Sequence, residues 1–188
     1  MRLADIQEGE LNEAQLQVLD AIRSGPRKSQ HATIGLVGPF GVWVRAPSIG
    51  QATQALGAAA RFECALPENV KEIAICTVGA FYRAKFEFAA HSALAEGAGV
   101  SAAAIERLRV GEQPELEGAE ALAFSLASAL VHKHRLDDAT YAAAVGEFGE
   151  NGLIELVGII GYYCMVSLTL NAFEVELENG MQDPFPDD

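Results

Sequence analysis

In the stretch FYRAKFEFAAHSALAEGAGVS, residues 81–101, Arg83, Glu87 and His91 recur every four residues within an otherwise apolar, Ala-rich run. On a helix, positions i and i+4 stack on one face, so the three side chains would be neighbours. A carboxylate beside an imidazole raises its basicity and fixes its tautomer, the usual device for a general acid or base. Arg83, one turn earlier, would pair with Glu87 or hold an anionic substrate group by a two-pronged contact. Glu72 is a second candidate carboxylate. In one unbroken helix it would lie about 22 Å from Glu87, at 1.5 Å per residue. It joins the group only if the chain bends between them, and Gly79 is the expected place. The same spacing also describes a solvated helix face, on which each pair contributes roughly a few tenths of a kcal/mol.

The elements that would position these residues read as helices nearly throughout. NEAQLQVLDAIRSG carries Leu16, Leu19 and Ile22 at helical spacing and stops at Gly25-Pro26. PRKSQHATIGLVGPFGVWVRAPS reads as an ordered irregular loop anchored by Phe40 and Trp43, after which Ser48 is the expected cap of the next helix. A long central region begins after Pro67. Gly97 and Gly99 break it, and Ser101 caps the following helix. Residues 116–131 form a further apolar helix, and a short amphipathic helix capped by Asp138 precedes an apolar one from Leu153. No run shows strand alternation, so the expected fold is all-α: one domain over 1–188, about seven helices in a compact bundle, with a loosely attached acidic tail over 177–188.

Composition excludes several function classes. The 188 residues carry a formal charge of -13, with 13 scattered Lys and Arg, which argues against nucleic acid or an anionic membrane surface as partner. Cys64, Cys76 and Cys164 form no CxxC and fit reduced thiols in a cytoplasmic protein. The start MRLADIQEGELNE lacks the basic-then-apolar pattern of a signal peptide. LVGIIGYYCMVSLTLNAF, residues 156–173, is long enough to span a bilayer, but its acidic flanks favour a helix buried in a core or a subunit interface. Gly158 and Gly161 would allow close helix packing there, and Tyr162 and Tyr163 are core residues or pocket walls. His132 and His134, beside Lys133 and Arg135, read as a cap on a helix C-terminus, and no third ligand points to a metal. GLVGPFG lacks the Lys and Ser/Thr of a phosphate loop.

The segment KEIAICTVGAFYRAKFEFAAHSALAEGAGVS, with its flanks over roughly 35–176, resembles the carboxymuconolactone decarboxylase and alkyl hydroperoxidase D-like superfamily. Redox members of that superfamily carry a Glu, then a CxxC, then a His. On this chain Glu72 matches the Glu and His91 the His, while the two cysteine positions fall on Ala84 and Glu87. Thiol peroxidase chemistry needs an attacking and a resolving thiol, and both are replaced. The decarboxylase branch works without them. The resemblance therefore implies a cofactor-independent acid/base enzyme for a small carboxylated or lactone substrate. In it His91 would be the acid or base, Glu87 its partner, Glu72 a second proton-transfer group, Arg83 the substrate clamp, and Tyr82, Trp43 and Phe40 walls.

Two other readings stand beside it: a family-type peroxidase working through Cys64 or Cys76, and a non-catalytic helical oligomer that binds a small ligand. The resemblance further implies a homo-oligomer, a trimer or hexamer, for which the apolar 153–173 segment supplies surface. A particle mass well above that of one chain is expected at micromolar concentration by light scattering; a monomeric mass would contradict the assembly.

Overall fold

Ten consecutive residues from Val70 to Gly79 are buried, and a segment hidden on every side can satisfy its backbone only within itself or its immediate partners. It forms the helix around which the others gather. In this computed structural model, which describes residues 1–26, 36–178 and 180–186, there are eight α-helices and no strand among the described residues. They are α1 (Glu13–Ser24), α2 (Gly38–Trp43), α3 (Pro47–Ala58), α4 (Glu68–Phe81), α5 (Lys85–Gly97), α6 (Ala102–Arg109), α7 (Gly118–Lys133) and α8 (Asp138–Ala172). The central α4 packs on α5, α7 and α8. The main core includes Ile73, Val78, Phe88, Leu126, Leu156 and Ile159, while Leu11, Val18, Leu19, Ile22 and Val44 form a smaller cluster where α1 meets α3.

Local chemistry sets most boundaries. Asn12 Oδ1 accepts from Gln15 N at 3.1 Å and Gln15 Oε1 accepts from Asn12 N at 3.0 Å, a reciprocal cap that starts α1. Ser101 Oγ accepts from Ala104 N at the start of α6, as its position implied. Ser48 does not cap α3: Pro47 takes the first helical position, where its fixed φ and missing N–H cost nothing, and Ala46 precedes it. Asp137, rather than Asp138, caps α8 by accepting from Thr140 N at 2.7 Å. The short helix from Asp138 and the apolar helix after it are both present along α8, separated by a kink at Gly149, whose φ of 69° and ψ of 171° are not helical. Of the irregular loop expected over 26–48, residues 27–35 lie outside the described residues, and Gly38–Trp43 is the short helix α2.

The expected bend between Glu72 and Glu87 is present but not at Gly79. Gly79 stays helical, and the backbone nitrogen of Phe88 would lie 3.5 Å from a Cβ there, so it allows α5 to cross close to α4. The turn falls at Tyr82–Ala84. Arg83 takes a left-handed φ of 48° and Ala84 N donates to Gly79 O at 2.9 Å. Arg83 therefore precedes α5 instead of sharing its face.

By length and composition α8 could cross a membrane, and half of its most apolar window is buried against the other helices. Ile154, Val157 and Leu168 are exposed along it. Among the described residues Gly158 and Gly161 meet no atom within reach of a Cβ, so they mediate no close packing there.

The tail is not loosely attached over residues 180–186. Phe185 is buried against Phe88, Asp183 pairs with Lys85 at 2.7 Å, and Arg109 donates to Pro184 O at 2.8 Å. Arg83 lies over the Phe185 ring, 4.7 Å from its centre.

Close approach of α3 to α2 fixes one further residue. A Cβ on Gly50 would lie 2.3 Å from the carbonyl oxygen of Trp43, whereas one on Gly146, on the surface of α8, would meet nothing. Gly50→Ala is expected to destabilise the fold by about 1–3 kcal/mol, and Gly146→Ala to stabilise it by about 0.5–1 kcal/mol, both read from urea denaturation midpoints.

Candidate functional site

Glu72 comes from the second turn of α4, and its side chain is wholly inside the protein. Glu87 lies in the first turn of α5 and His91 one turn later, both buried. The turn at Tyr82–Ala84 folds α5 back onto α4, so the imidazole falls between the carboxylates. Nδ1 of His91 lies 2.5 Å from Glu72 Oε2 and Nε2 lies 3.1 Å from Glu87 Oε1. The three residues singled out as proton-transfer groups are thus brought together.

A residue that spacing did not flag completes the group. After α3 the chain makes one π-helical turn, Ala59–Glu63, a wider turn that shifts the side-chain register and is frequent at functional sites. It directs Arg61 onto His91. Arg61 Nη1 lies 3.4 and 3.2 Å from the two ring nitrogens. Near-equal distances place it over the ring face, because an in-plane position would collide with Cε1. Its Nη2 lies 3.5 Å from Glu72 Oε1 and 3.6 Å from Glu68 Oε1, and the Tyr163 hydroxyl is 3.5 Å from Nη1. Lys71 secures the turn from below, donating to the Arg61 carbonyl at 2.9 Å while pairing with Glu68 at 2.6 Å. Tyr163 from α8 closes the group, its ring edge-on to His91 with centres 4.9 Å apart.

Burial works against the charge of His91, Glu72 and Arg61. For His91 it would lower the pKa, but the carboxylates of Glu72 and Glu87 override it and raise the imidazole to about 9. Burial would raise Glu72, and His91 and Arg61 hold its carboxyl below the ordinary value. Burial also opposes the guanidinium charge, which Tyr163, Glu72 and Glu68 sustain. At neutral pH the centre therefore holds an imidazolium between the carboxyl groups of Glu72 and Glu87, with one guanidinium nitrogen of Arg61 against its ring.

Glu87, His91, Arg61 and Tyr163 are among the residues that line a cleft of about 1140 Å³. Glu72 lies behind them and does not line it. Phe40 and Trp43 are on the walls, as the sequence suggested, together with Phe62, Phe86 and Tyr162, and Met181 and Pro184 of the tail cover one side. Two expected substrate contacts are elsewhere. Arg83 points to Phe185 on the outside, because the left-handed turn takes it off the α5 face. Tyr82 packs edge-on against Phe81, and its carbonyl accepts from Asn171. His132 packs edge-on against Phe81, and His134 ends α7 in a left-handed conformation, its N–H donating to Leu130 O.

The cysteines are free, and none is activated. Cys76 is fully buried, and burial together with Glu72 and Glu87 pushes its thiol far up. Cys64 and Cys164 are raised too, chiefly by burial. Among the described residues no group of three or more His, Cys, Asp or Glu is disposed to hold a metal ion.

The sign of the His91 shift gives a stability profile. The folded protein binds this proton more tightly than the unfolded chain, whose histidine titrates near 6.5. The stabilisation is complete below pH 6.5 and lost as pH rises through 9, by up to about 3 kcal/mol. Urea midpoints should therefore fall between pH 6.5 and 9, and in His91→Gln that decline should flatten. No family model matches the chain, and a search among curated proteins finds no match.

Proposed function

We propose that this chain is a cofactor-independent acid/base enzyme, of the carboxymuconolactone decarboxylase-like kind that its sequence resembles, acting on a carboxylated or lactone substrate. The observation that carries this reading is the Glu72–His91–Glu87 relay beside a cleft with largely apolar walls, with Arg61 on the same imidazole. A His91 that titrates near 9 is a proton donor at neutral pH, so it serves as the acid. Glu87, which faces the cleft, receives or returns the proton. Glu72 positions His91 from behind and keeps it charged. Arg61 takes the role first assigned to Arg83: it lines the cleft beside His91, where negative charge would develop.

The raised thiols of Cys64, Cys76 and Cys164 speak against peroxidase chemistry, because the thiolate is the nucleophile. A second reading, a ligand-binding helical protein without turnover, is favoured by one feature. Both ring nitrogens of His91 are already engaged, as in a purely structural ion network. Self-association of a cytoplasmic protein, through the exposed Ile154, Val157 and Leu168 of α8, belongs to either reading.

A screen of small carboxylates and lactones for turnover separates them. On a substrate so found, His91→Ala and Glu87→Gln should each lower kcat at least about 100-fold, the ordinary size of a general acid–base contribution. kcat/KM should fall on an alkaline limb near pH 9, and alkylation of the thiols should change nothing. Turnover unaffected by His91→Ala would remove the relay from the chemistry; inhibition by alkylation would restore the thiol reading.

A further inference from the structure

The cleft is larger than the relay needs. Ordinary small-ligand pockets enclose roughly 300–1,000 Å³, and this one, at about 1140 Å³, exceeds that range. Its walls are apolar and aromatic: Phe40 and Trp43 from α2, Phe62 beside the π-turn, Phe86 from α5 and Met181 from the tail. Of the other charged residues that line it, three are engaged and Glu178 is exposed. Glu106 accepts from Arg109 at 2.7 and 2.6 Å, and Asp183 pairs with Lys85.

Arg61 is different. Its Nε is buried without a hydrogen-bond partner, and its other nitrogens make no contact to a neighbouring side chain shorter than 3.2 Å. Glu72 Oε1, facing it at 3.5 Å, also lacks a hydrogen bond. A guanidinium carries five donors in a planar fork, and leaving them unfilled inside a protein is costly. The nearby charges of Glu68, Glu72, Glu87, Arg61, Lys71 and His91 sum to zero, so the cluster presents no net negative charge to an entering carboxylate.

We propose that the cleft binds a monocarboxylate with a long or bulky apolar body, its carboxylate forked onto Arg61 and its body laid along Phe40, Trp43, Phe62 and Phe86. The bidentate fork supplies the head-group specificity, and the aromatic walls supply affinity that grows with buried apolar area. This deepens the enzymatic reading by naming the substrate class, and it rests on that reading for the use of the site but not for binding itself.

Trp43 is the only tryptophan in the chain and sits on the cleft wall, so its fluorescence reports occupancy. Titration of the full-length protein with straight-chain carboxylates from butanoate to decanoate should tighten the dissociation constant about fourfold per added methylene. Methyl decanoate should bind at least tenfold more weakly than decanoate, and Arg61→Gln should remove that preference. Affinity independent of chain length, or equal affinity for acid and ester, would overturn the proposal. Both measurements use the unaltered chain and hold even if Arg61→Gln fails to fold. Chain-length-dependent binding without turnover of any carboxylate would keep this inference and remove the enzymatic reading. Turnover of short carboxylates with no gain from longer ones would do the reverse.

Discussion

Two carboxylates inside a helical core are the constraint on which the rest of the structure depends. Glu72 is wholly enclosed and Glu87 nearly so. An unpaired charge there would cost several kcal/mol, on the order of what a domain's whole stability can bear. Each must therefore meet a cation, and the cations come from elsewhere. His91 reaches Glu72 only because α5 folds back on α4, and Arg61 reaches it only because a π-helical turn replaces the last ordinary turn after α3. Lys71, itself buried, holds that turn by its carbonyl. Four irregular or tightly packed features, the left-handed Arg83, the close crossing at Gly79, the π-turn and the buried lysine, thus serve one electrostatic requirement.

Much of this was legible in the sequence, and the failures have physical causes. Apolar spacing marked the helices, and the i, i+4 relation of Glu87 to His91 survives unchanged because both lie within α5. The need for a bend after Glu72 was visible from helix rise alone. Its place was not, because a glycine in a helix serves close packing as readily as a break. Arg83 and Tyr82 were misassigned for the same reason: once the bend moved to Tyr82–Ala84, they belonged to the turn. Arg61 left no signal. A π-turn has no sequence period, and an arginine in AAARFE looks like any solvated helix residue. The tail was misread because its composition is polar and acidic, while a single buried phenylalanine, Phe185, decides its placement.

The electrostatics of the site and of the surface are also at odds. The chain as a whole is strongly acidic, yet the relay and its arginine balance. An anion approaching the cleft meets a repulsive long-range field before it meets Arg61. Recognition then depends on short-range forces, the fork and the apolar walls, and added salt would speed association where it ordinarily slows it.

One wall of the cleft is made by residues that belong to no helix. Met181, Asp183 and Pro184 border it, and the strap they form is anchored by Asp183 on Lys85, by Arg109 on Pro184 and by the buried Phe185 on Phe88. The relay is locked into the core and tolerates little change. The strap is a separate element tied to α5 at two places, Lys85 and Phe88. The architecture separates the buried charges, held by α4, α5 and the π-turn, from the strap that outlines one wall of the cleft.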